Sequence, residues 1–131
     1  IHMHGVHSKA RCDHCQHAVL WEGDMSTATV CEGCGDVGGM RPHVVWFGET
    51  PLELGRIQAV LVACDLFVSI GTSGNVYPAA GFISVVQQIG RAHTVELNLE
   101  PSLGAALFSE GRYGPATEVV PSYVDEVLAT L

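Results

Sequence analysis

From Pro42 onward the apolar residues fall in short blocks that alternate between two rhythms. His43 to Phe47 (HVVWF) is a continuous run of the kind a short buried strand shows, and after Pro51 the residues Leu52, Leu54, Ile57, Val60 and Leu61 recur at near-helical spacing. Asp65 to Ile70 (DLFVSI) predicts a second apolar strand. A small-residue loop, Gly71 to Val76, separates it from a helix over Pro78 to Gln88, with proline in its first turn and Gly90 just past its end. His93 to Leu97 (HTVEL) predicts a third strand, and Glu118 to Val120 a short fourth that leads into a terminal helix opened by Pro121. Strands separated by helical segments imply right-handed crossovers and a parallel sheet. The first 42 residues show little periodicity and are rich in Cys, His, Gly and Asp, as expected where a metal replaces an apolar core. The expected organisation is a small metal module over residues 1–42, followed by an α/β domain over 43–131.

Composition narrows what such a chain does. With 131 residues and 47% apolar content it can bury one core plus a small insert. Six basic against fourteen acidic residues give a formal charge of -8, which argues against binding a phosphate backbone and suits cationic partners such as lysine-bearing peptides. The longest apolar stretches, Ala59 to Cys64 and Leu66 to Ile70, fall well short of the ~20 residues of a membrane helix. No nucleic acid, no membrane and a cytoplasmic location are therefore expected.

The module's chemistry is carried by Cys12-Asp-His-Cys15 and Cys31-Glu-Gly-Cys34, two CxxC knuckles with fifteen residues between them. That spacing matches a tetrahedral zinc site with four thiolate ligands. Such a shell leaves no coordination position open, so the metal is expected to be structural and catalysis to lie elsewhere. The fifth cysteine, Cys64, sits in an apolar run and reads as plain core.

In a parallel sheet, ligands bind beyond the carboxyl ends of the strands. There the sequence places Gly71-Thr72-Ser73-Gly74-Asn75, whose glycines allow close backbone approach and whose hydroxyls suit a phosphate or ribose. An ordinary strand-to-helix turn fits the same spacing. The next strand end carries Asn98-Leu99-Glu100, an amide and a carboxylate suited to ribose hydroxyls, and the two loops together favour a dinucleotide. Seven histidines occur, three of them (His2, His4 and His7) before the first knuckle, where a base, a surface residue and a tag remnant all fit. No GxSxG elbow is present for a serine hydrolase.

Read in order, His4-Gly5, the paired knuckles, Arg41-Pro-His-Val-Val-Trp-Phe-Gly-Glu49, Gly71-Thr-Ser-Gly-Asn-Val-Tyr-Pro-Ala-Ala-Gly81, Thr94-Val-Glu-Leu-Asn-Leu-Glu-Pro-Ser102 and Gly114-Pro-Ala116 resemble the sirtuins, most of all the bacterial CobB type. The resemblance covers nearly the whole chain. It implies a partial Rossmann-like sheet with a zinc ribbon, and an NAD-dependent protein-lysine deacylase that transfers the acyl group to ADP-ribose and releases nicotinamide. His4 matches the catalytic histidine, a general base on a ribose hydroxyl, for which a pKa near ambient pH is suited. Gly71, Thr72 and Ser73 match the cofactor loop, Asn98, Leu99 and Glu100 the adenosine-ribose segment, and Ala116 a backbone contact to adenine. Val45, Phe47, Gly48 and Glu49 on one side, with Asn75, Val76 and Tyr77 on the other, match the edges between which an acyl-lysine peptide is laid as an added strand.

The family's GAGxS and QNID motifs, and the residues with which CobB-like members recognise acidic acyl groups, would precede Ile1. The opening Ile1-His2-Met3-His4-Gly5 accordingly reads as an entry into the C-terminal part of a larger protein, a deacetylase or desuccinylase. A catalytically inactive zinc-binding fragment with a structural or interaction role is the alternative.

Overall fold

A computed structural model describes residues 1–130 and divides them into two compact units, Ile1–Gly55 and the segment from Arg56 onward. The first is organised by strand pairing and sulfur. Strands β1 (Gly5–Cys12), β2 (Ala18–Leu20) and β3 (Met40–Val44) form an antiparallel sheet in the order β2-β1-β3. Its small core is Ala10, Cys12, Cys31 and Met40, with Val19, Trp21 and Met25 packed against it. So few apolar side chains could not hold 55 residues by burial alone.

The expected strand HVVWF is shifted in the structure. β3 begins before Pro42, crosses the expected junction at 42/43 and ends at Val44. It joins this antiparallel sheet and not the parallel one. Pro42 is tolerated because β3 is an edge strand, where a missing N–H breaks no ladder on the open side.

The second unit is the expected α/β part. Helix α1 (Leu54–Ala63) begins in the last residues of the first unit and buries Ile57 and Leu61, one turn apart. Strands β4 (Leu66–Ile70), β5 (His93–Asn98) and β6 (Glu110–Tyr113) pair in parallel in the order β4-β5-β6. Between β4 and β5 the helix expected from Pro78 starts later: Pro78 caps a 3-10 turn (Ala79–Gly81), and helix α2 runs over Phe82–Ile89 and closes on Gly90 at φ 69° as the sequence predicts. A second 3-10 turn (Ala105–Leu107) precedes β6. Val95 and Leu97 of β5 point at helix α3 (Ala116–Leu128), packing on Tyr123 with Val68, Val119, Val120 and Val127 around them.

Two predicted elements near the C-terminus are corrected. Glu118 to Val120 is the first part of α3 and no strand; the helix starts after Pro115, which occupies its N-terminal cap position, and Pro121 lies inside it. The true last strand is β6, Glu-Gly-Arg-Tyr, which no apolar periodicity marks and which forms through its ladder with β5. Cys64 is half-buried and donates to the Leu61 carbonyl at 3.3 Å, so it is less a core residue than expected. Among the described residues no helix is long and apolar enough to cross a membrane.

Candidate functional site

The two knuckles are the same turn used twice. In each, the first cysteine's carbonyl accepts an N–H four residues on, from Gln16 and from Gly35, both at positive φ. In each, the first cysteine's N–H reaches a carbonyl five residues on, of His17 and of Asp36. Pairing the turns brings Cys12, Cys15, Cys31 and Cys34 together with all four Sγ atoms within 4.8 Å. Cys12 and Cys34 are 3.8 Å apart, and Cys15 and Cys31 3.7 Å. A zinc–sulfur tetrahedron with bonds of about 2.3 Å has edges of about 3.8 Å, so the donor set fits the ion in number, type and spacing.

Electrostatics points the same way. Burial pushes the Cys31 thiol up, but the N–H groups of Cys34 and Gly33 outweigh it and bring it down to about 7. The Asp36 N–H lowers Cys34, yet burial and the other three sulfurs drive it up to about 12. Four crowded sulfurs cannot all ionise unaided, and a divalent cation removes that conflict.

His4 stands just outside the sheet, exposed, in the turn before β1. Its carbonyl accepts the Val45 N–H at 3.0 Å, and Gly5 pairs with Val44. The approach is so close that a Cβ on Gly5, at φ +80°, would lie 2.0 Å from the His43 carbonyl oxygen. The structure thus brings His4 and Val45 to Glu49 into one corner of the first unit.

That corner is held by an ion-pair clamp between Arg41, which opens the Arg41–Glu49 motif, and the candidate residue Glu49 itself. Buried Arg41 gives Glu49 a two-pronged ion pair, Nη1 to Oε1 at 2.5 Å and Nη2 to Oε2 at 3.0 Å, and also donates to the Val44 carbonyl. Its guanidinium lies 3.6 Å from the centre of the Trp46 ring, and the Trp46 N–H donates to Glu49. Arg11 and Asp13, next to Cys12, extend the network at 3.6 to 3.8 Å. The Glu49 carboxylate therefore faces inward, while Phe47 is 99% exposed and Gly48 turns at φ +88°. A buried arginine eight residues before a glutamate, across a Trp, was the available signal.

The clamp makes the unit acid-sensitive. The Arg41 guanidinium, then the Trp46 N–H, hold the Glu49 carboxyl down to about 2. A carboxyl lowered on folding stabilises above its ordinary range, and that contribution fades as pH falls from there through about 2. Thermal melts between pH 7 and pH 2 are expected to show this loss, with a flatter acid limb for Glu49→Gln; superimposable limbs would discount the clamp.

In the second unit, three loops meet at the carboxyl ends of β4, β5 and β6. Gly71, Thr72 and Ser73 follow β4, all exposed, with Gly71 at φ 62° and open space where a Cβ would stand. Asn98 ends β5, with Leu99 and Glu100 exposed beyond it, and Ala116 opens α3 just after β6. Backbone bonds stitch the rim: Gly71 N–H to the Leu97 carbonyl and Gly114 N–H to the Asn98 carbonyl, both 3.0 Å. The Asn98 amide adds a third, donating to the Thr72 carbonyl at 2.7 Å while its oxygen accepts from Leu99 N–H. All seven expected cofactor residues thus share one rim. Thr72, Gly74 and Ser102 also line a cavity of about 310 Å³ between the β4 side of the sheet and α2. Asn75, Val76 and Tyr77 lie exposed just before the 3-10 turn at Ala79.

Comparison with known proteins follows this geometry. The family described as "Sir2 family" matches residues 1–78. The NAD-dependent protein deacylase of Caulobacter vibrioides is 55% identical over 131 residues, all of this chain and 55% of that protein. The enzyme of the same name from Salmonella typhimurium is 50% identical over the whole chain and 48% of its own length. A crystal structure of a Sir2 homologue with NAD superposes with a TM-score of 0.85 at 30% identity, covering 99% of this chain and 51% of that one. The chain spans about half the length of the relatives it matches.

Proposed function

Since the chain belongs to the Sir2 family, we propose that it is the part of a bacterial NAD-dependent protein-lysine deacylase that carries the catalytic histidine, the structural zinc and one side of the nucleotide site. The observation that supports this best is the agreement of two independent corners: His4 tied by its backbone to the Val45–Glu49 turn, and all seven nucleotide candidates on one stitched rim.

When bound, NAD supplies an activated ribose carbon that takes the acyl group as nicotinamide leaves. The roles assigned to this chain's residues are these. His4 Nδ1 or Nε2 takes a proton from a ribose hydroxyl, helped by its exposed place and by a backbone fixed at Val45. Gly71, Thr72 and Ser73 offer N–H and hydroxyl groups to phosphate and ribose, a fit that the left-handed, unobstructed Gly71 supports. Asn98, Leu99 and Glu100 orient the adenosine ribose, and Ala116, at the start of α3, offers backbone to adenine. Val45, Phe47, Gly48 and Glu49 of the first unit, and Asn75, Val76 and Tyr77 of the second, are each assigned to an acyl-lysine peptide bound as an added strand, a mode in which main-chain pairing is the source of affinity and many protein sequences are acceptable. Zinc on Cys12, Cys15, Cys31 and Cys34 holds the first unit and stays outside the chemistry. A cytoplasmic location belongs to this reading, since a site of four thiolates needs cysteines that stay reduced.

The test is mass analysis of acetyl- and succinyl-lysine peptides incubated with NAD and a chain extended upstream to the relatives' length. Peptide loss of the acyl group together with nicotinamide release, and neither without NAD, is the expected result. Acyl loss that proceeds equally without NAD would overturn the reading.

A further inference from the structure

Thr94, Glu96 and Asn98 alternate with Val95 and Leu97 along β5, so the strand turns an apolar face to α3 and a polar one away from it. The polar face is also buried: Thr94 and Glu96 are each 1% exposed. Thr94 is satisfied by Ser109. Glu96 is the anomaly. One of its oxygens, Oε2, accepts from the Ser102 N–H at 3.3 Å and from the Tyr113 hydroxyl at 3.0 Å, while Oε1 is buried with no partner among the described residues.

A buried carboxylate half without partners destabilises its surroundings, and an apolar side chain of similar size would fill the space at lower cost. Its partners indicate what it does instead. Ser102 belongs to the loop that follows Asn98, Leu99 and Glu100; its hydroxyl accepts the Gly104 N–H and it lines the 310 Å³ cavity beside Thr72 and Gly74. Tyr113 ends β6, opposite Asn98 in the ladder, one residue before the stitch at Gly114. Glu96 therefore holds the loop after β5 at Ser102 and the end of β6 at Tyr113.

The sequence makes room for this arrangement. Gly111 is the ladder partner of Glu96, and a Cβ there would lie 2.4 Å from the Tyr113 hydroxyl. Only a glycine lets the ring fold back across β6 to reach the carboxylate. Burial, and then Glu96 itself, push the Tyr113 phenol up, which keeps it a donor.

On the nucleotide reading given above, we propose that Glu96 is a positioning residue for NAD: with Gly111 and Tyr113 it fixes the Asn98–Ser102 loop and the end of β6 in the shape that receives the adenosine half. It touches no ligand itself.

Steady-state kinetics in the chain extended to the relatives' length tests this. Glu96→Ala is expected to raise the KM for NAD roughly tenfold, as loss of hydrogen bonds to a charged group does, while the peptide KM and the turnover at saturating NAD stay near wild type. Glu96→Gln keeps one oxygen able to accept both bonds and is expected to stay within about threefold of wild type. Gly111→Ala, whose Cβ would displace the Tyr113 hydroxyl, and Tyr113→Phe, which removes it, are both expected to raise the KM for NAD and to leave that for peptide near wild type. An unchanged NAD KM in Glu96→Ala would overturn the proposal, as would equal losses toward NAD and peptide in the Ala and Gln variants together with lowered melting points, which mark a packing role alone. A wild-type protein without NAD-dependent turnover would overturn the deacylase reading, and this proposal with it.

Discussion

Replacing His4 by Ala is expected to lower deacylation turnover by roughly 100-fold or more, the usual contribution of a positioned general base. The side chain is exposed in the turn before β1 and none of the hydrogen bonds that build the corner uses its ring: the bond to Val45 comes from the His4 carbonyl, which an alanine retains. The corner should therefore survive the substitution, and peptide binding and zinc content should stay near wild type. Two other histidines serve as controls. His7 is exposed on β1, and His17 contributes its carbonyl to the first knuckle while its ring rests on Gly33, so alanine at either should change turnover little. The measurement is product mass from an acyl-lysine peptide with NAD, in the chain extended to the relatives' length. Near-normal turnover in His4→Ala would remove the assignment; a common collapse of all three variants would mark a folding defect.

Chelation of zinc is expected to unfold the first unit. The unit's core holds only four buried residues, two of which, Cys12 and Cys31, are ligands themselves, and structural zinc in comparable small modules contributes on the order of 10 kcal/mol, more than the burial of Ala10 and Met40 supplies. Trp21 packs on that core and Trp46 stacks on Arg41, so both tryptophans report on this unit. A strong chelator should shift their emission to the red, and Cys31→Ala should do so without one, although Cys31 has no assigned role at substrate. Elemental analysis of freshly purified, unchelated protein should return one zinc per chain. A value well under that, or native tryptophan emission after complete zinc removal, would sink the assignment.

Legibility in the sequence followed the source of order in each segment. Where apolar periodicity or spacing carries the structure, as in α1, β4, α2, β5 and the paired knuckles, the sequence reading and the fold agree. Where pairing carries it, the sequence misleads: β6 is polar and exists through its ladder with β5, and Pro121 has the marks of a helix start although the helix begins after Pro115, just beyond that strand. The run His43 to Phe47 was read as one strand, yet at Val45 the backbone turns to His4, and Arg41 and Glu49 draw the rest into a clamp. Arg41 and Glu96 lie inside the long motifs that carry the resemblance, but their partners, Glu49 with Trp46 and Ser102 with Tyr113, are visible only in the structure. Glu96 had one local sign, a charge between two apolar residues in mid-strand, and its meaning depends on Gly111 and Tyr113 far along the chain.

Two of the three bonds that stitch the rim at the ends of β4, β5 and β6 join backbone to backbone, Gly71 to Leu97 and Gly114 to Asn98. Such bonds are blind to side-chain identity but depend on the count of residues between strand and loop. Substitutions at the exposed Leu99 and Glu100 leave them in place, whereas one residue inserted between Ile70 and Gly71, or between Tyr113 and Gly114, would move a donor past its acceptor. In this rim the residue count at each strand end is the constrained quantity, and the identity of the exposed residues beyond it is the free one.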